Sequence, residues 1–312
     1  MKIVFFGSDI FAVPSLEALV RNKFEVTAVV TQTDKKRGRH LNLGFSAVKE
    51  ATLRLGLNIL QPEKLSDPDF ISAIKYRQTD LLVVAAYGKI LNKTILNIPK
   101  IMPINIHGSL LPKYRGAAPI NWAIINGEKE TGVTLMRMNE LMDAGEIISQ
   151  GAVRIEKEDD AITLRKKLSA LGSEELLKVI NHIQQGKKIP LTVQDEKLAT
   201  SAPKLKKSDG LIDWHRDAIS IHNRIRGLRP WPGCFTHYKQ KALKILSSEV
   251  SGSEAAKATP GEVVDVSKDG VKIATGKGSL IIKTVQLESA RPMSAWQFIA
   301  GHRIDAGFSF LS

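Results

Sequence analysis

The 312-residue sequence predicts an α/β fold, a mostly parallel sheet domain followed by a small C-terminal β-barrel, and three observations carry that prediction. The runs KIVFF (2–6), EVTAVV (25–30) and LLVVAA (81–86) are apolar on successive residues, as strands covered on both faces of a parallel sheet must be. Helical patterns lie between them, so strand and helix alternate, which is how layered α/β domains are built. The last third of the chain turns to short strand patterns with closely spaced turn signals.

Taken in order, the opening MKIVFFGSDIF is too short for a signal peptide or a membrane span and reads as the first strand. The turn that follows, Phe6-Gly7-Ser8-Asp9, departs from the G-x-G-x-x-G pattern. The sheet is therefore expected to be Rossmann-like without its phosphate cradle, and no NAD is implied. A helix opens at Pro14 and runs through Leu16 and Leu19, and others fall near 46–55 and 68–77, the last behind Asp67 and Pro68. TGVTLMRM (131–138) reads as a strand. Over 161–185, Leu164, Leu168, Leu171, Leu176, Ile180 and Ile183 recur at helical spacing, with Gly186 as the stop. KKIPLTVQDEKLATSAPKLKK (187–207) has no sustained period and reads as a linker. The expected division is 1–189 as one domain, 190–207 as linker and 208–312 as a second domain. In the latter, a helix near 216–226 precedes turn signals at Lys239-Gln240, Ser251-Gly252, Lys268-Asp269-Gly270 and Gly276-Lys277-Gly278, the pattern expected of a small β-barrel of the OB-like kind.

A hydrophobic fraction of 43% and a charged fraction of 25% match folded globular proteins and exclude disorder as the default. The single cysteine, Cys234, excludes an internal disulfide framework and multi-cysteine zinc sites, which suits a cytoplasmic protein. Beside Trp231 and Pro232 it reads as a small buried residue. The seven histidines include no H-E-x-x-H and no i, i+4 pair, so no metal is expected. The net charge of +13 has two readings, a polyanionic partner such as RNA or simply a soluble basic surface.

The densest cluster of unusual residues is NIHGSLLP (105–112) followed by KYRGAAP (113–119), which begins as a strand and leaves as a loop. Asn105 and His107, two apart, project from one side of a strand end, where open α/β sheets place their ligands. They would offer an amide donor and an imidazole to one reacting oxygen; read as structural residues, they would fill a turn and an interior site. Asp143 lies in the loop LMDAGE (141–146), where an Asp beside a small residue is also an ordinary turn former.

NIHGSLLPKYRGAAPINWAI together with LMDAGE resembles the folate-dependent formyltransferases, and SAPKL (201–205), IDW (212–214), RPWPG (229–233) and the basic stretch TDKKRGR (33–39) resemble the branch of that family that acts on tRNA. The resemblance spans the chain and is strongest over 84–146. It implies formyl transfer from 10-formyltetrahydrofolate, as co-substrate, to the α-amine of methionine on initiator methionyl-tRNA, with Asn105, His107 and Asp143 as the catalytic trio. It implies folate contacts at Tyr87, Gly88, Lys89, Ile90 and Leu91, and at Ser109, Leu110, Leu111 and Pro112. It also implies tRNA contacts at Lys35, Lys36, Arg37 and Arg39.

The chemistry fits the trio. An amine attacking the formyl carbon places negative charge on oxygen, and Asn105 and His107 are suited to meet it, with the Asp143 carboxylate favouring a charged His107 and orienting it. Lys204, Lys206 and Lys207, with Arg224, Arg226 and Arg229, would add non-specific contacts to a nucleic-acid backbone. Trp231, between two prolines, is expected to pack rather than to stack on a base. No membrane and no obligate protein partner is expected.

Overall fold

A computed structural model describes residues 1–37, 42–251 and 258–310. The chain divides into two compact units, one of residues 1–119, 130–154 and 165–203, the other of 120–129, 155–164 and 204–312.

The first unit is built on the strands β1 (Lys2–Gly7), β2 (Glu25–Val30), β5 (Ile59–Leu60), β6 (Leu81–Ala85), β7 (Met102–His107), β9 (Glu130–Arg137) and β10 (Ile147–Arg154). Their order is β10-β9-β7-β6-β1-β2-β5. The pairs β7-β6, β6-β1, β1-β2 and β2-β5 are parallel, while β9 and β10 are antiparallel to their neighbours. The apolar runs lie where burial on both faces requires them: all of Leu81–Ala85 and five of the six residues of β1 are buried. Helices α1 (Val13–Arg21), α2 (Ala47–Arg54) and α3 (Pro68–Tyr76) follow their strands. The Ser46 hydroxyl accepts from Lys49 N–H at the start of α2, and the Asp67 carboxylate accepts from Asp69 N–H at the start of α3. On one side of the sheet Val4, Phe6, Val30, Leu82 and Val84 pack with Phe70 and Ile74 of α3 and with Tyr87, Leu91, Ile95 and Leu96. Phe6 meets the Tyr87 ring edge-on at 5.3 Å.

Two further pairings differ from the sequence reading. The basic stretch 33–39 carries no strand pattern, yet the backbone of β3 (Lys35–Arg37) pairs antiparallel with β4 (Asn42–Gly44). Composition alone suggests no structure within 190–207, yet β11 (Ser201–Ala202) pairs parallel with β8 (Arg115–Gly116).

In the second unit, α7 (Ala218–Gly227) opens on the Asp217 carboxylate, which accepts from Ser220 N–H. Five antiparallel strands follow, β12 (Cys234–Tyr238), β13 (Lys241–Ser251), β14 (Val263–Ser267), β15 (Gly270–Ala274) and β16 (Ser279–Leu287), in the order β12-β13-β16-β15-β14. A short β17 (Met293–Ser294) pairs with β16. Lys239 and Gln240 both adopt positive φ, +45° and +65°, which is the two-residue hairpin turn expected between β12 and β13. Leu243, Ile245, Val271, Ile273, Ile282 and Val285 form the interior with Phe298 of α8 (Ala295–His302).

Candidate active site

Asn105 and His107 occupy the carboxyl end of β7, where Asn105 stands opposite Val84 of β6 and His107 opposite Thr134 of β9. Their two-residue spacing puts both side chains on one face. Asp143 comes to them from the loop after β9. Its Oδ2 lies 3.6 Å from His107 Nδ1, and its Oδ1 lies 3.5 Å from Asn105 Nδ2.

Backbone groups of residues 114–116 complete the arrangement. Tyr114 C=O lies 2.9 Å from His107 Nε2, and since a carbonyl only accepts, Nε2 carries the hydrogen. Gly116 N–H donates to Asp143 Oδ2 at 2.9 Å. His107 is only 6% exposed, so its ring has little freedom to turn. Two long separations, from Asp143 to Asn105 Nδ2 and to His107 Nδ1, remain in the site, and such contacts commonly tighten only once the reacting group is bound. Asp143 has φ +49°, an uncommon conformation for a residue with a side chain. Its loop closes tightly because a Cβ at Gly145 would run into the Arg137 carbonyl. At Gly116, with φ +126°, a Cβ would lie 2.6 Å from the Ala202 carbonyl oxygen.

The two expected folate segments flank this corner. Tyr87 and Leu91 are buried in the core, Gly88 has φ +77°, and Ile90 is exposed. Lys89 Nζ donates to the carbonyls of Pro62 and Glu63 at 3.2 and 3.0 Å. The Tyr87 hydroxyl is buried without a hydrogen-bond partner among the described residues, and burial pushes its ionisation up to about 12. Ser109 Oγ donates to Lys113 C=O, while Leu111 N–H donates to Thr134 Oγ1 and Leu111 C=O accepts from Gln150. Leu110 and Pro112 are half-buried beside them. A cavity of about 600 Å³ lies between Leu96, Met102, Pro103, Met138, Asn139 and Leu141, among others. It is a size suited to a small-molecule ligand. None of the residues 87–91 or 109–112 lines it, although Leu96 and Met138 pack in the same cluster as Tyr87 and Leu91. Of these lining residues, Met138 ends the TGVTLMRM stretch and Leu141 opens LMDAGE, while Leu96, Met102, Pro103 and Asn139 were not singled out in the sequence.

The basic residues divide. Lys204, Lys206 and Lys207 are exposed. For Lys35, Lys36 and Arg37 only the backbone course is described, and Arg39 lies outside the described residues. Arg224, Arg226 and Arg229 each have a partner within their own unit, and the Arg229 side chain is still 42% exposed. Arg224 donates to Asp209 C=O at 2.6 Å, Arg226 donates to Asp159 C=O at 2.7 Å and to Asn223, and Arg229 pairs with Asp160 at 3.0 Å. Trp231, expected to pack, is 54% exposed. Cys234 is buried and its thiol is pushed up to about 12 by that burial. No helix among the described residues is long and apolar enough to cross a membrane.

This corner of an α/β sheet brings an amide, an imidazole and a carboxylate together, groups able to meet charge on a carbonyl oxygen. A family model described as formyl transferase matches residues 1–180, and one described as formyl transferase, C-terminal domain, matches residues 204–303. A methionyl-tRNA formyltransferase of Caldanaerobacter subterraneus subsp. tengcongensis is 47% identical over 308 residues, covering 98% of this chain and 99% of the relative. Among solved structures, WlaRD, a sugar 3N-formyl transferase, in the presence of dTDP and 5-N-formyl-THF, superposes with TM-score 0.67 at 22% identity over 93% of this chain and 99% of that one. HypX from Aquifex aeolicus in complex with tetrahydrofolic acid does so with TM-score 0.65 at 18% identity, over 96% of this chain and 47% of that one. At those identities the structural likeness speaks for the fold alone. The chain belongs to the formyl transferase family, in the group of its methionyl-tRNA formyltransferases, enzymes that move a one-carbon group.

Proposed function

We propose that this enzyme transfers the formyl group of 10-formyltetrahydrofolate to the α-amine of methionyl initiator tRNA in the cytoplasm, for translation initiation, with residues 1–189 as catalytic domain, 190–207 as linker and 208–312 as tRNA-binding domain. The observation that carries the chemistry is the convergence of Asn105, His107 and Asp143 at the end of β7. The acceptor rests on the likeness to a relative of that name across the whole chain and on the net charge of +13, which a small anionic acceptor would not require.

In this reading the amine nitrogen attacks the formyl carbon and a C–N bond forms, while the carbonyl oxygen takes up negative charge. Asn105 Nδ2 and His107 Nδ1 donate to that oxygen, since His107 Nε2 is already held by Tyr114. The Asp143 carboxylate balances the imidazolium. On collapse the bond to the folate nitrogen breaks, and that nitrogen takes the proton released by the amine. No covalent enzyme intermediate is needed. The segments 87–91 and 109–112 are assigned to the folate, with the neighbouring cavity at Met138–Leu141 as further space for it. Lys35, Lys36, Arg37, Arg39, Lys204, Lys206 and Lys207 are assigned to the tRNA.

The test is single-turnover formylation of methionine-charged initiator tRNA by the purified chain with 10-formyltetrahydrofolate. Formyl-methionyl-tRNA formed by the wild type and abolished in Asn105→Ala supports the reading. Absence of product from the wild type removes it.

A further inference from the structure

The residue that holds Asp143 in place comes from a segment with no chemical motif. Gln194 is 5% exposed, and its amide uses its full bonding capacity. Nε2 donates to Asp143 C=O at 2.9 Å and to Gly145 C=O at 2.7 Å, while Oε1 accepts from Arg115 Nε and Nη2 at 3.1 and 2.8 Å. Arg115 is held in turn by Glu196 at 2.8 Å, an interaction that raises the guanidinium pKa. Arg115 sits between Tyr114, whose carbonyl takes His107 Nε2, and Gly116, whose N–H meets Asp143 Oδ2. The same stretch of chain anchors this turn twice more: Thr200 Oγ1 accepts from Tyr114 N–H at 2.8 Å, and Thr200 C=O accepts from Arg115 N–H at 2.8 Å.

We infer that Gln194 is a positioning residue for formyl transfer, clamping the Asp143 turn against the Tyr114–Gly116 turn so that the carboxylate stays between Asn105 and His107. The inference rests on the assignment of Asp143 to the site. A carbonyl on each side of Ala144 is tied to one side chain, which suits a turn whose leading residue has positive φ. A rigidly held second layer of hydrogen bonds is what keeps a reacting group within a fraction of an ångström of its working position.

The experiment compares wild type, Gln194→Met, Asp143→Asn and the double variant in formyl transfer, with KM for folate and acceptor measured separately. Gln194→Met keeps the side chain's length and removes its hydrogen bonds. It is expected to lower kcat about tenfold or more with both KM values within about twofold, and to add nothing once Asp143 is Asn, as residues that act as one unit are non-additive. Gln194→Glu retains an acceptor for Arg115 but faces two carbonyls without hydrogens, so it is expected to be impaired as well, and it carries the test if Gln194→Met does not fold. An unchanged kcat in either folded variant, or losses that add to that of Asp143→Asn, would overturn the inference. If Asp143→Asn itself is fully active, the assignment of the site has failed, and the role of Gln194 falls with it.

Discussion

His107 gives its Nε2 hydrogen to the carbonyl of Tyr114 at 2.9 Å, which leaves Nδ1 as the ring nitrogen that faces Asp143 and the open corner of the site. One nitrogen orients the ring and the other is available for chemistry. An Asn side chain can place its amide near the position of Nδ1, whereas Gln reaches that of Nε2. His107→Asn should therefore keep more formyl transfer than His107→Gln, and steady-state kcat of the two decides it. The reverse order would assign the chemistry to Nε2.

Removal of one oxyanion donor commonly costs about a hundredfold or more in kcat. Asn105→Ala and His107→Ala are each expected to fall in that range while the KM for folate and tRNA change little, because the proposed hydrogen bonds to the reacting oxygen strengthen in the transition state. Near wild-type turnover in both would dismiss the trio.

The two residues that define this corner were visible in the sequence because Asn105 and His107 stand two apart at the end of one strand, amid glycines and prolines. Asp143 was a weak candidate by itself and gained weight only through the resemblance, since an Asp beside Ala144 and Gly145 is otherwise a turn. The partners that hold them were not legible. Tyr114 C=O and Gly116 N–H are backbone atoms, which carry no residue identity, and Gln194 reaches Asp143 and Arg115 across 51 and 79 positions from a polar stretch without period. For the fold, the buried strands and the period of the helix α6 (Ala161–Gln184) were plain in the hydrophobic pattern. The two-residue strand β11 was not, because its pairing depends on a distant partner. The partners of Arg224, Arg226 and Arg229 were equally invisible, because sequence does not show a carbonyl or carboxylate placed within reach.

The second unit offers a pH dependence of stability. His222 of α7 is held down at about 4, chiefly by burial and then by the nearby Arg226 charge, while its Nδ1 pairs with Ser248. The unfolded chain binds this proton near the ordinary value of 6.5, so between about pH 6.5 and 4 the unfolded state holds more protons than the folded one. Stability from this site is complete above that window and declines as pH falls through it. His222→Gln should flatten that part of the thermal-midpoint curve; an unchanged curve would place the dependence elsewhere.

The assignment of tRNA to the basic residues predicts a change in salt dependence. Neutralising Lys35, Lys36, Arg37 and Arg39 together should weaken tRNA binding and make its logarithmic dependence on salt shallower, by about 1 for each phosphate these side chains neutralise in the wild type. The KM for folate should not move. Binding isotherms over a range of salt concentrations provide the check, and parallel slopes for wild type and variant would remove this stretch from the tRNA-binding surface.

The most direct measurement is the ratio of kcat/KM for methionine-charged initiator tRNA to that for a nucleotide-linked amino sugar, with the same enzyme and the same 10-formyltetrahydrofolate. A preference for the tRNA of about a hundredfold or more is predicted, since discrimination between acceptors is set by their transition-state binding and the proposed assignment gives only the tRNA contacts to the basic residues. Equal or greater efficiency with the amino sugar would contradict the account.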